Sequence, residues 1–247
     1  MQPVSALKGV GPRVAEKLGR LGLHTIQDML FHLPLRYQDR TRITPVGSLM
    51  PGREAMFCGR IELADVVYRG RRNLLCRVAD GTGSVLLRFF HFSGAQRDSL
   101  QRGVLMRCFG EVRSGQTGPE LIHPEYELLP AGSEPQPENR LTPVYPTTDG
   151  MHQLSLRRLI GEALDTRLQG IREWLPDEVL DLLRLPTLRE ALDFVHRPPP
   201  GAPVGVLMQG RHPAQQRLAY EELLAHCLGL RRLRERIRQQ QRPVIKG

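Results

Sequence analysis

Between residues 53 and 129 the chain alternates short apolar runs with turn residues in an order that few folds accept. Ala55 to Val67 reads as one long strand and Asn73 to Ala79 as a second, and Asp80-Gly81-Thr82-Gly83 is a hairpin turn into a third, Ser84 to Phe92. Ser93 to Arg102 reads as a short helix, and Val104 to Val112 and Glu120 to Leu129 supply a fourth and a fifth strand. Three strands, a helix and two strands is the order of an OB-fold, a five-stranded Greek-key barrel whose open sheet face and adjoining loops take single-stranded nucleic acid.

Both flanks carry helical patterns instead. Gly9-Val10-Gly11 precedes Pro12, which suits the first position of a helix, and Val14, Leu18 and Leu21 follow at helical spacing. Thr25 caps a second helix that stops at Pro34. Further on, Ser155 caps a run through Leu168, Thr187 and Glu190 form a capping box for a helix through Phe194, and a long helix runs from His212-Pro213 to about Gln241. Proline-rich breaks at 45–52 and 130–146 divide these patterns. The reading is therefore α+β and multidomain: a helical region over 1–50, an OB-type barrel with a proline-rich exit over 51–150, and a helical region over 151–247.

Charge narrows the partners. Lys and Arg total 35 against 26 acids, a formal charge of +9, and nearly all the cations are Arg, whose planar fork suits phosphates and base edges. Cys58, Cys76, Cys108 and Cys227 lack any paired spacing and read as small buried hydrophobes in a reducing compartment. No apolar leader and no run long enough to span a membrane is present, so a cytoplasmic location is expected, with no membrane partner. A phosphate-cradling G-x-x-x-x-G-K-[ST] loop, an H-E-x-x-H zinc signature and a nucleophile elbow are all missing. Hence no catalytic residue, no metal site and no cofactor are assigned to this chain.

Candidate binding residues cluster on the third strand and the loop between the first two. In V-L-L-R-F-F-H-F, alternation puts Val85, Leu87 and Phe89 on the core face and Leu86, Arg88, Phe90 and Phe92 on the other, where rings and a cation make a base-stacking platform. Arg69, Arg71 and Arg72 lie in the loop that flanks such a platform and suit phosphates, with Arg113, Arg107 and Arg77 extending the basic track or serving only as solvated charge. Gly9 and Gly11 form a turn whose amides either hold a phosphate or simply pack the two helices. The Arg231 to Arg238 stretch is read first as a solvated face or a strut. His123-Pro124-Glu125-Tyr126 is read as strand-end packing.

Several strings are specific enough to name a likeness. L-K-G-V-G at 7–11, H-L-P-L-R-Y-Q-D-R-T at 32–41, R-F-F-H-F at 88–92, I-H-P-E-Y at 122–126, L-T-P-V-Y-P-T-T at 141–148, H-R-P-P-P at 196–200 and H-P-A-Q-Q-R-L at 212–218 resemble the N-terminal region of the bacterial RecG family, in register over essentially the whole chain. The resemblance implies a monomeric, nucleoid-associated DNA translocase that remodels stalled forks and Holliday junctions in repair and recombination. In it an OB-type wedge splits strands at the branch point, ahead of motor domains that use ATP and Mg. Carried onto this sequence, the stacking aromatics of the wedge are Phe89 and Phe90, although alternation alone places Phe89 in the core. The sequence ends at Gly247, before the ATP-binding loop of that family is expected, so ATP hydrolysis is assigned to motor domains of the same polypeptide, and single-strand DNA-binding protein is a further candidate partner. Other readings stay open beside it: a general single-strand binder of OB type without branch specificity, an RNA-associated factor, and helical parts that serve as protein-docking surfaces.

Overall fold

The computed structural model describes residues 2–69, 71–130 and 132–240, the side chains of Arg69, Arg71, Gln239 and Gln240 excepted. In chain order the elements are α1 (Pro12–Arg20), α2 (Ile26–Leu30), β1 (Arg36–Gln38), β2 (Glu54–Arg69), β3 (Arg71–Ala79), β4 (Ser84–Phe89), α3 (Gly94–Ser99), β5 (Leu105–Glu111) and β6 (Arg113–Gly115). There follow β7 (Gly118–Ile122), β8 (Glu125–Leu129), β9 (Thr142–Val144), α4 (Gln153–Arg167), α5 (Asp177–Leu183), α6 (Leu188–His196), α7 (Val204–Met208) and α8 (Pro213–Gln240). They gather into two compact units, Met1–Tyr37 with Pro143–Gly247, and Gln38–Thr142.

The second unit is the expected barrel. Along β2 the first half pairs antiparallel with β5, from Glu54 opposite Glu111 to Arg60 opposite Leu105, and the second half with β3. A bulge between Ile61 and Leu63 marks the bend, because an extra residue on one strand sharpens its twist. Gly59 sits just before it, where a Cβ would stand 2.7 Å from the Ala79 carbonyl oxygen, so only glycine lets the strands approach there. Antiparallel β3 and β4 join through the Asp80-Gly81-Thr82-Gly83 turn, in which the Asp80 carboxylate accepts the Thr82 N–H at 2.9 Å and Gly81 takes φ +88°. Leu74, Cys76 and Val78 of β3 and Val85, Leu87 and Phe89 of β4 fill the core on period-two spacing.

Closure departs from the sequence reading in one respect. The fifth strand is two segments: β7 runs parallel to β4, pairing Leu87 with Leu121, whereas β8 runs antiparallel to β5, pairing Phe109 with Glu125. The chain changes partner at His123-Pro124, where His123 takes φ +47°. Pro124 has no N–H to continue a ladder, so the break falls there. The ring β2-β3-β4-(β7/β8)-β5-β2 is the OB-type barrel, and it gives the fold its β half. The third strand also stops at Phe89, three residues earlier than expected, and leaves Phe90 to Phe92 in the connection to α3.

In the first unit, residues from both ends of the chain share one core. Leu18, Ile26, Met29 and Leu30 pack with Leu156, Leu159, Ile160, Ala191, Leu192 and Leu218. Residues 1–37 thus assemble with 143–247, whereas 38–50, expected with the first helical region, go with the barrel and 143–150, expected with the barrel, go with the helices; the chain passes between units near 37–38 and 142–143. Thr25 and Thr187 cap α2 and α6 in capping boxes with Asp28 and Glu190. Helix α4 begins at Gln153 with His152 as its N-cap, three residues before the Ser155 cap read from sequence. Helix α8 runs 28 residues, about 42 Å, to Gln240; the expected end near Gln241 lies outside the described residues. Cys58, Cys76 and Cys108 are buried as expected, but Cys227 is exposed on α8.

Candidate nucleic-acid interface

Phe89 and Phe90 leave β4 on opposite sides of the barrel wall. Phe89 is 2% exposed, edge-on to Tyr126 with ring centroids 5.7 Å apart, and lies in the core. This corrects the expectation that Phe89 stacks on bases: the period-two alternation holds to the last ladder residue and turns its ring inward. Phe90 is 41% exposed, one residue past the strand. Its N–H donates to His123 Nε2 at 3.1 Å, and its ring meets the imidazole with centroids 5.6 Å apart.

Phe92 is half-buried against the core, and the Arg72 guanidinium lies over its ring, 4.5 Å from the centroid. Arg72 stands opposite Tyr68 at the tip of the β2-β3 hairpin, where the Tyr68 ring is 76% exposed. The hairpin therefore brings Arg72 and Tyr68 toward the connection that carries Phe90 to Phe92, and a cation resting on a ring is stabilised by the ring quadrupole. The side chains of Arg69 and Arg71, singled out with Arg72, lie outside the described residues.

The remaining arginines are committed to different degrees. Arg88 donates through Nε and Nη2 to the two oxygens of Glu120, each at 2.8 Å. These hydrogen bonds raise the Arg88 pKa, against the opposing effect of burial. The expected phosphate grip by Arg88 thus meets a guanidinium fork already filled by a carboxylate. Both side chains line a groove of about 260 Å³ on the open sheet face, with Asp65, Arg77, Leu63 and Leu75. Arg107 is tied to Glu127 at 2.6 Å and to the Gln136 carbonyl at 2.9 Å. Arg113 meets Glu111 at 3.1 Å with both side chains about half exposed, a geometry that holds a cation only weakly.

At the Gly9-Gly11 turn, Gly9 takes φ +85° and Gly11 caps α1 ahead of Pro12. The Lys8 N–H donates to Glu162 Oε1 at 2.6 Å and Arg158 donates to the Lys8 carbonyl at 3.1 Å, so α4 already supplies a carboxylate to this turn. No group of three His, Cys, Asp or Glu side chains among the described residues could hold a metal ion, and no described helix is long and apolar enough to cross a membrane.

Sequence reasoning missed His123 as a neighbour of Phe90 and Glu120 as the partner of Arg88. Pro124 inside a strand-like run was the available signal for the first. The second depends on the parallel β4-β7 register, which leaves no local trace.

A family model described as the RecG wedge domain matches residues 3–166. The ATP-dependent DNA helicase RecG of Escherichia coli K12 is 46% identical over 233 residues, covering 94% of this chain and 33% of that protein. The ATP-dependent DNA helicase RecG of Thermotoga maritima is 30% identical over 231 residues, covering 92% of this chain and 28% of its own. A solved structure of RecG bound to a three-way DNA junction superposes with a TM-score of 0.71 at 27% identity, covering 95% of this chain and 31% of that one. The chain spans about one third of the length of the curated relatives it matches.

Proposed function

The chain belongs to the RecG wedge-domain family, and from that premise we propose that it binds branched DNA and supplies the steric wedge at the branch point. The observation that carries the reading is the placement of Phe90, a large exposed ring just beyond a barrel strand, with Arg72 and Tyr68 at the neighbouring hairpin tip. A ring in that position caps an exposed base pair by stacking, worth about 1–3 kcal/mol per base, while nearby cations hold phosphates without reading sequence. Phosphate contacts then set affinity and salt dependence, and the ring sets branch preference.

Strand separation needs force, and this chain has no nucleotide-phosphate loop in its sequence. We assign ATP and Mg chemistry to the part of the RecG helicases that this chain does not match, with the wedge fixed and the motor domains drawing duplex against it to reverse forks and process Holliday junctions. Single-strand DNA-binding protein remains a proposed partner, and monomeric action a proposed state.

The test is fluorescence-anisotropy binding of this chain to a three-way fork, matched duplex and matched single strand across a salt series, for wild type and Phe90→Ala. Fork preference that Phe90→Ala erases, with the salt slope unchanged, supports the wedge. Equal binding of all three DNAs, or a Phe90→Ala variant that behaves as wild type, removes the wedge role from Phe90, and tighter binding of the plain single strand replaces it with a general single-strand binder.

A further inference from the structure

One residue holds the backbone on both sides of Phe89. His123 donates its N–H to the Arg88 carbonyl at 2.9 Å and accepts the Phe90 N–H on its imidazole Nε2 at 3.1 Å. Its ring also lies 5.6 Å from that of Phe90, edge-on to Phe89 at 5.9 Å, and stacked on His91 at 6.1 Å with a 20° interplanar angle. Because β4 ends at Phe89, the Phe90 amide lies beyond the strand, and the imidazole is what receives it. His123 itself sits at φ +47° immediately before Pro124, an uncommon backbone for a side chain of this size, which persists where its surroundings hold it.

From this geometry we propose that His123 is a positioning residue for the wedge: its neutral imidazole fixes the backbone from which Phe90 projects, and so sets the orientation of the ring toward a base pair. The proposal deepens the base-capping reading of Phe90 and rests on it for its effect on DNA. An acceptor at Nε2 requires an imidazole without a proton on that atom; the imidazolium donates from both nitrogens and turns the contact with the Phe90 N–H into a repulsive one. The device therefore operates at neutral pH and fails once acid protonates the ring, below the ordinary histidine range.

The neighbouring charged groups leave this logic intact. Burial first, and then the proximity of His91, hold the His123 pKa below the ordinary histidine value. On β4 the Arg88 guanidinium is turned to Glu120 of β7, and on β8 Glu125 is paired with Arg40 at 2.8 Å while Tyr126 packs on Phe89.

Two measurements test the proposal, one without DNA. In nitrogen-proton correlation spectra of this chain, the Phe90 amide is expected to titrate together with the His123 imidazole, and to lose that pH dependence in His123→Asn, which suits a positive φ and does not titrate. A Phe90 amide indifferent to the His123 titration overturns the proposal, whatever the DNA results. In anisotropy assays at pH 7.5, His123→Gly should lower the fork-over-duplex preference by about 2- to 10-fold, the worth of one hydrogen bond, with the salt slope unchanged. His123→Gln, whose Oε1 reaches about as far as Nε2, should recover part of it, and both it and His123→Asn should lack the fall in preference that wild type and His91→Asn show as the pH drops through the His123 titration. Full preference in His123→Gly, or an acid response in His123→Asn equal to wild type, sinks it. Should Phe90→Ala leave fork preference intact while the amide titration is as expected, the base-capping reading of Phe90 fails and the positioning contact stands.

Discussion

The guanidinium of Arg88 and the carboxylate of Glu120 meet as two forks, with Nε and Nη2 each 2.8 Å from an oxygen. The parallel register sets Leu86 opposite Glu120 and Arg88 opposite Ile122, so the pair lies diagonally across the two strands on the sheet face. A phosphate arriving there competes with a bidentate partner whose side chain is only 12% exposed. Glu120→Gln should therefore tighten binding to fork, duplex and single strand alike and steepen the logarithmic salt dependence by up to about 1, as one more cation becomes available. Arg88→Ala in the wild-type background should change DNA affinity little. A large loss of affinity in Arg88→Ala, measured by anisotropy over the same salt series, would show that the arginine leaves Glu120 to grip phosphate.

Arg72 is placed differently. Its guanidinium lies over Phe92 while its surface faces solvent at the hairpin tip, so it stays open to a phosphate without breaking an ion pair among the described residues. Arg72→Ala is expected to weaken binding to all three DNAs by a similar factor and to lower the salt slope by about 1, leaving fork preference in place. A selective loss of fork binding would instead put Arg72 at the branch itself.

How much of this was legible follows from the range of the interactions. The barrel order rests on local signals, the alternation through Leu74, Cys76 and Val78 and the Asp80-Gly81 turn, and each is readable within a dozen residues. The helical core is not, because Leu18 and Met29 meet Leu156 and Leu192 across more than a hundred residues of intervening chain, and no short pattern encodes that. Phe90 was readable as surface from period two, yet its orientation depends on His123, which arrives only when the barrel closes. Total charge misled in one respect: Arg40 and Arg217 count among the cations, but both are buried and paired with acids.

Arg217 has no exposed side-chain surface, and Glu173 and Glu221 each meet it at 2.6 Å. Glu173 also accepts the Leu188 N–H at 2.6 Å, so this one cation fastens α8 to the start of α6. Arg217→Ala strands two carboxylates beside a cavity and should destabilise the helical unit by about 3–5 kcal/mol, since removing one member of a buried ion pair leaves the other charge unbalanced. Denaturant unfolding followed by circular dichroism reads this directly. A cost below about 1 kcal/mol would mean that the acids relax to water and the network contributes little.

His196 gives the helical unit a pH dependence on the acid side. It is 3% exposed, with Nε2 2.8 Å from the Leu30 carbonyl and Nδ1 2.8 Å from the Tyr145 hydroxyl. A carbonyl only accepts, so Nε2 carries the proton and Nδ1 accepts from Tyr145, which fixes the neutral ring. Burial above all pushes the His196 pKa down to about 4 from 6.5. The unfolded chain therefore binds a proton that the folded chain refuses, so stability is complete above pH 6.5 and falls as the pH drops from there toward 4. Over that window the loss approaches about 3 kcal/mol, at 1.36 kcal/mol per pH unit. His196→Gln should be less stable than wild type at pH 7.5, yet lose less on acidification, so that their melting temperatures converge near pH 4.5. Parallel melting curves that keep a constant separation from pH 7.5 to 4.5 would show that the buried imidazole is not the group that titrates.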